Sequence, residues 1–344
     1  MKTLYFIRAN KTKFGGAEMY LSRLSDALDK QNIKYEIINS IFPKFLPSWS
    51  RAILFNFQVC LTKRNKFYFS LDRITCPNIY RAGDGVHSVF LMVEKKSKLN
   101  PLHPVYLFLE KRCFQKAKRI IANSEMVRNQ IINMYNINPA KIDVVYNGIE
   151  SKELIYQNSF NKLSREFLIK ASQPTLLYVG SGFKRKGVGE FLQIVAKLQT
   201  PNIKAFIVGK EKSIEYYKQL AIELKIDSQV VFTGPREDVN DFYTISDIFI
   251  FPTHYEPFSN VILEAMSFEN VVFTTRQNGA SEILDNEFVM DTPLDFSVVQ
   301  KIDKLLLDKE ALKAIQKSNK SKSKQFSIEK NLSETLKVVN EVIN

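Results

Sequence analysis

Apolar residues run together from Thr3 to Ala9 as in a short buried strand, and Ala17, Tyr20, Leu21, Leu24, Ala27 and Leu28 then recur at helical spacing. That is a β-α opening. Tyr35 to Asn39 reads as a second strand, and Arg119 to Asn123 and Asp143 to Tyr146 are strand-like runs flanking a helical stretch from Glu125 to Tyr135. Between about Asn158 and Gln173 the periodicity gives way to polar residues. The pattern then restarts: Thr175 to Val179 reads as a strand, Gly180-Ser181-Gly182 as its turn, and Val188 to Leu198 as the following helix. Further strands fit Lys204 to Val208, Gln229 to Thr233, Ile248 to Phe251 and Val271 to Thr274, with helices near Glu215 to Leu224, Val239 to Ile245 and Val261 to Phe268. Strands alternating with helices imply parallel sheets, so the pattern predicts an α/β chain of two Rossmann-like domains facing each other across a cleft. The expected division is 1–157, 158–322 and a C-terminal helical segment 323–344 packing back on the first domain.

Composition narrows the class. The chain has 344 residues, 45% hydrophobic and 25% charged, enough for two cores, with no apolar run long enough to span a bilayer. Cys60, Cys76 and Cys113 show no paired metal-type spacing, and the first residues lack a signal-peptide core, so reduced thiols in a cytoplasmic protein are expected. The formal net charge of +13 is one-sided: residues 1–150 hold 24 Lys+Arg against 11 Asp+Glu, which leaves the remainder neutral. A basic first half suits an anionic surface, either membrane lipid or nucleic acid. Two stretches mix apolar and basic residues as an interfacial helix would: Pro101 to Arg119, and Lys44 to Phe69 with Trp49 and several Phe. The aromatics carry no RNA-binding signature, so nucleic acid is not the expected partner.

Candidate chemistry lies in the loops that follow strands, where open α/β sheets bind ligands. Gly15-Gly16-Ala17-Glu18 precedes the first helix, where backbone amides can approach a phosphate. In the second half, Gly182-Phe183-Lys184-Arg185-Lys186-Gly187 sets three cations beside flexible backbone at a strand-to-helix turn, suited to a diphosphate. It is neither a P-loop nor a G-x-G-x-x-G loop. Glu256-Pro257-Phe258-Ser259-Asn260-Val261 follows the strand ending at Phe251. Ser259 or Asn260 can cap a helix there, placing Glu256 in the loop and Glu264 about a turn into the helix. The two carboxylates can accept hydrogen bonds from hydroxyls, with helix amides between them for phosphate.

The Glu-x7-Glu element at Glu256 and Glu264, the glycine loop at 15–18, the Asn147-Gly148-Ile149 turn and the 180–187 loop together resemble a GT-B retaining glycosyltransferase of family 4. More narrowly, Tyr80-Arg81-Ala82-Gly83-Asp84 and the 180–188 segment look like the lipopolysaccharide core glucosyltransferase I group. The resemblance implies a UDP-sugar donor, most simply UDP-glucose, and a lipopolysaccharide or lipooligosaccharide core acceptor at the inner face of the cytoplasmic membrane. By position it implies Arg185 and Lys186 on the donor diphosphate, Glu256 on the sugar hydroxyls and Glu264 on the ribose. Phe258, Ser259, Asn260, Val261 and Gly182 supply backbone contacts, Gly15 and Gly16 close over the phosphates, and Arg236 frames the base. On the acceptor side Asp84, His87 and Glu18 are the candidates for orienting a hydroxyl or moving its proton. The His-rich acceptor motif of some relatives is missing. With no Asp-x-Asp pair and no metal-ligand spacing, neither metal nor cofactor is expected, Lys and Arg taking the ion's part. Two rival readings share the fold: a UDP-sugar epimerase, and a non-catalytic protein that binds the nucleotide sugar.

Overall fold

A computed structural model describes residues 3–10, 16–95 and 100–343; for Gly16 and Ala17 only the backbone is described. The chain divides into two units, 1–147 with 328–344, and 148–327. In chain order the first unit contains β1 (Leu4–Ile7), α1 (Gly16–Lys30), β2 (Tyr35–Ile38), α2 (Ser48–Leu61), β3 (Phe67–Ser70), β4 (Ile79–Ala82), α3 (His87–Val93), α4 (Leu102–Lys116), β5 (Arg119–Ala122), α5 (Glu125–Tyr135) and β6 (Ile142–Val144). Its strands are all parallel, in the order β2-β1-β3-β4-β5-β6. Connections out of β1 and β3 therefore diverge, and the loops after these two strands flank the point where the winding reverses.

The second unit holds α6 (Tyr156–Phe167), β7 (Thr175–Val179), α7 (Phe183–Lys186), α8 (Val188–Lys197), β8 (Lys204–Val208), α9 (Ile214–Glu223), β9 (Val230–Gly234), α10 (Val239–Ile245), β10 (Ile248–Phe251), α11 (Asn260–Ser267), β11 (Val271–Thr275), β12 (Val289–Met290), α12 (Val298–Leu307) and α13 (Lys309–Ser323). Its parallel sheet runs β12-β11-β10-β7-β8-β9, so the reversal falls between β7 and β10. β10 is buried along its whole length, as a central parallel strand covered on both faces must be.

The final helix, α14 (Ile328–Ile343), belongs to the first unit. Its Leu332, Leu336, Val338 and Val339 join the core formed by Leu4, Phe6, Leu21, Leu24 and Phe69. A buried hydrogen bond of 3.0 Å links Tyr20 of α1 to Thr335.

Several sequence expectations need correction. The units part at 147/148 instead of 157/158, and the chain leaves the second unit at 327 instead of 322. The polar stretch after 158 is the helix α6: it buries only Ser159 and Leu163, so its apolar signal is faint. Ser159 Oγ donates to Asp241 at 2.6 Å and Lys162 binds the same carboxylate, which ties α6 to α10, while a bridge pairs Ile149 with Ser327. The reduced-thiol expectation fails for one pair. Cys60 ends α2 near the loop before β4, where Cys76 lies, and the two form a disulfide with Cα atoms 5.9 Å apart. Cys113 is free and buried, and burial pushes its thiol far up.

Pro101 to Arg119 is mostly the helix α4, which packs part of its apolar side into the core. Leu109, Glu110, Cys113 and Phe114 are buried, Leu102, Val105, Tyr106 and Leu107 are half-buried, and Phe108 and the basic residues Lys111, Arg112 and Lys116 are exposed. The exposed apolar stripe sits on α2, where Trp49, Ile53, Phe57 and Leu61 are 39%, 45%, 62% and 65% exposed at four-residue spacing. Among the described residues no helix is long and apolar enough to cross a membrane.

Candidate functional site

In the second unit the reversal point brings the loops after β7 and β10 into direct contact. Gly187 has φ +81°, and a Cβ there would strike the Pro252 carbonyl, so only glycine lets the two backbones approach. The Arg185 carbonyl accepts from His254 N at 2.9 Å and from Thr253 Oγ1 at 3.1 Å, locking the loops together. The side chains meet as well. Arg185 Nη1 donates to Glu256 Oε1 at 2.6 Å and to the Tyr255 carbonyl at 2.6 Å, and Lys186 Nζ lies 3.4 Å from the same Glu256 oxygen. Glu256 is held from behind, its N–H on the Gln277 carbonyl and its own carbonyl on Gly279 N–H, both at 2.9 Å. His254 Nε2 pairs with Glu190 Oε1 at 2.9 Å.

Asn260 begins α11 and Ser259 precedes it in extended conformation without a side-chain capping bond, its N–H donating to the buried Asn278 side chain at 3.2 Å. Phe258 and Ser259 are buried, while Asn260 and Val261 are partly exposed. Glu264 receives the Tyr243 hydroxyl at 3.2 Å; burial and that carboxylate raise the phenol's pKa well above its ordinary value. Gly182 caps α7 with φ +77°. The structure thus assembles Arg185, Lys186 and Glu256 at one point, with the start of α11 on the same loop. Two cations, a carboxylate and a helix N-terminus can hold a diphosphate and accept hydroxyl hydrogen bonds.

Arg236 lies apart from this cluster, after the edge strand β9. Its guanidinium clamps Glu166 at 2.6 and 2.9 Å and Asp238 at 2.8 and 2.9 Å. Those bonds hold the Asp238 carboxyl far below the usual range.

The acceptor-side candidates fall in the first unit. Glu18 of α1 takes Arg8 Nη2 at 2.8 Å and Nε at 3.1 Å. Asp84 is exposed in the loop between β4 and α3. His87 opens α3, and its Nε2 lies 3.3 Å from His103 Nδ1. Burial first, and then the charge of Arg73, lowers its pKa to about 4, so the ring is neutral at neutral pH. Gly15 lies outside the described residues, and Gly16 is the first residue of α1.

The pattern reading missed three charged residues here. Glu110 is fully buried and receives Arg73 Nε at 2.9 Å, His87 N at 2.7 Å, Ser88 N at 3.3 Å and the Tyr135 hydroxyl at 2.6 Å. It fixes the 84–88 loop. Asp72, after β3, receives Ala9 N at 2.5 Å and Arg8 Nη1 at 3.2 Å, and burial outweighs Arg8 in pushing its carboxyl up. Arg73 donates to the Gly85 carbonyl at 3.3 Å. Recognising β3 as a strand, and reading the charges just past its end, would have exposed both Asp72 and Arg73.

Known proteins agree with this architecture. A family model of group 1 glycosyl transferases matches residues 159–322, and one of Glycosyltransferase Family 4 matches residues 80–153. The capsular polysaccharide biosynthesis glycosyltransferase CapM of Staphylococcus aureus is 32% identical over 219 residues, 59% of this chain and 56% of that one. The lipopolysaccharide glucosyltransferase WaaG of Escherichia coli K12 is 27% identical over 210 residues, 58% of this chain and 55% of that one. The chain thus spans about half the length of the relatives it matches. Among solved structures, WaaG, a glycosyltransferase involved in lipopolysaccharide biosynthesis, superposes with a TM-score of 0.81 at 20% identity, covering 97% of this chain and 99% of its own. Anabaena HepE in complex with UDP and glucose gives 0.75 at 17% identity, covering 99% and 100%. With both family models matched and each half built on a six-stranded parallel sheet flanked by helices, the chain belongs to the GT-B glycosyltransferases of family 4.

Proposed function

We propose that this protein is a retaining hexosyltransferase that moves a sugar, most simply glucose, from a UDP donor to a lipopolysaccharide-type or other glycan acceptor at the cytoplasmic face of a membrane. One observation carries the reading: Arg185 and Lys186 converge on Glu256 at the reversal point of the second sheet. A donor diphosphate draws both cations onto its oxygens. That exchange frees Glu256 to accept hydrogen bonds from the sugar hydroxyls, while Glu264 serves the ribose. HepE, which is similar in fold, holds UDP and glucose.

Cleavage of the sugar-phosphate bond leaves positive charge on the anomeric carbon and negative charge on the departing UDP. Arg185, Lys186 and the first amides of α11 meet that negative charge, stabilising the transition state more than the ground state. In a front-face substitution the leaving phosphate oxygen takes the acceptor proton, so retention needs no protein nucleophile. The two cations do the work of a divalent ion, and no metal is required. The basic first unit, with the apolar stripe of α2, holds the enzyme against anionic lipid, where a glycolipid acceptor would lie.

The test is a panel of UDP-glucose, UDP-galactose and UDP-N-acetylglucosamine, with and without truncated lipooligosaccharide, analysed for product in the presence of EDTA. Transfer is expected from one donor. Lys186→Ala is expected to lower kcat about 100-fold or more, the cost of removing one transition-state donor, and Glu256→Ala to raise KM for the sugar and lower kcat together. Turnover unchanged in both variants refutes the site. Epimerised donor without transfer, or UDP-sugar binding without any product, replaces the reading with one of its two rivals.

A further inference from the structure

A cavity of about 330 Å³ opens in the first unit at the reversal point between β1 and β3. Ala9 and Asn10 follow β1, and Asp72 and Arg73 follow β3, so the cavity occupies the crevice where doubly wound sheets bind ligands. Its far wall is one face of α2, on which Ser48, Arg51, Ala52 and Phe55 recur at helical spacing, and Lys44 and Tyr106 close the rim.

The charges in this cavity are unequal. Asp72 is already engaged by Arg8 and Ala9 N–H, and Arg73 by Glu110. Lys44 and Arg51 have no ion-pair partner among the described residues, and Arg51 Nε is shut off from solvent with no hydrogen-bond partner among them. A desolvated guanidinium N–H without an acceptor is costly, and an anion seated in the cavity removes that cost. The first turn of α2 lines the same space and adds its positive dipole end.

We propose that the first unit recognises its acceptor through an anionic substituent, a phosphate or carboxylate on the sugar, gripped by Arg51 and Lys44. The cavity holds one monosaccharide unit. Arg51 provides the directional contact and Lys44 a mobile charge, and the Asp72 carboxylate takes a sugar hydroxyl hydrogen bond. This assignment rests on the glycosyltransferase reading and names the acceptor class within it.

The experiment is calorimetric titration of the full-length protein with glucose 6-phosphate, glucuronate and glucose, with UDP titrated in parallel. At least one anionic sugar is expected to bind about tenfold tighter than glucose, as a charge-assisted contact implies, and added salt is expected to erode that advantage. The stronger of the two identifies the substituent. Arg51→Gln and Lys44→Gln are expected to abolish the preference while leaving UDP affinity unchanged; Lys44 is exposed, so its variant tests the idea without disturbing the fold. A protein that binds UDP but prefers neither anion, or a preference that survives both substitutions, overturns this assignment alone. Failure to bind UDP or any UDP-sugar overturns the glycosyltransferase reading instead.

Discussion

Asp247, the residue just before β10, shows how one residue's cost is set by its surroundings. Its carboxylate accepts Thr175 N–H at 2.8 Å, yet burial raises its pKa to about 6. An acid that protonates more readily in the folded chain than in the unfolded one destabilises the fold once ionised: the penalty is absent below about pH 4, grows as pH rises and is complete above about pH 6. Asp247→Asn keeps the acceptor oxygen and removes the charge. It is expected to stabilise the protein at pH 7.5 by about 2 kcal/mol, with the gain vanishing near pH 4 in thermal melts; a gain independent of pH would mean that the charge is not its source. His87 runs the other way on the same axis. Its folded pKa of about 4 lies below the unfolded value, so its neutral burial supports the fold above about pH 6.5 and that support is lost as pH falls toward 4. The residues of the donor cluster were legible because their types and spacing carry the chemistry. Glu110 was not, because it is an ordinary helical charge until strands distant in sequence surround it, and Asp72 and Arg73 were hidden only because the strand they follow, β3, was not recognised.

Among elements, the strand-to-helix turn from β7 to α8 and the loop after β10 work as one piece, and Gly187 is the joint. Gly187→Ala introduces a Cβ at positive φ against the Pro252 carbonyl. The expected loss is about 2 kcal/mol or more, read as a fall in Tm, with weakened UDP binding as Arg185 and Glu256 are displaced. A variant of unchanged Tm and UDP affinity would show that the two loops do not depend on this approach. The β-α rhythm of both units was readable because strands and helices bury different periodicities. The short strands β3 and β12 were not picked out as strands. β3 sits in an aromatic run that mimics an interfacial segment, and β12 has only two residues. Helix α6 was missed for the opposite reason, having too few buried positions to mark a face.

At the scale of the molecule, the excess positive charge lies in residues 1–150, and the exposed apolar stripe of α2 lies in that same region. If charge and stripe act together, the protein is expected to float with liposomes containing anionic lipid and not with neutral ones. Phe57→Ser with Leu61→Ser should reduce that binding by about 100-fold or more at constant charge if both side chains insert fully, since each then forfeits about 1.5–3 kcal/mol of burial. Equal flotation with both lipids removes the electrostatic account, and unchanged binding of the double variant removes the stripe. The Pro101–Arg119 stretch, also mixed apolar and basic, buries Leu109 and Phe114 in the core and leaves Leu102, Val105, Tyr106 and Leu107 half-buried, so the continuous exposed apolar stripe is that of α2.

By itself the sequence determined two successive β-α alternations, the bias of charge toward the first half, and the loop motifs at 182–187 and 256–264. Each of these is written in neighbouring residues, where periodicity and local chemistry are enough. Only tertiary structure decided that Arg185 and Lys186 close on Glu256, that Cys60 meets Cys76, that α14 completes the core begun by β1, and that Arg51 lines a cavity between β1 and β3. Those outcomes depend on strand order, because a parallel sheet wound outward in both directions brings together the ends of strands that are far apart along the chain.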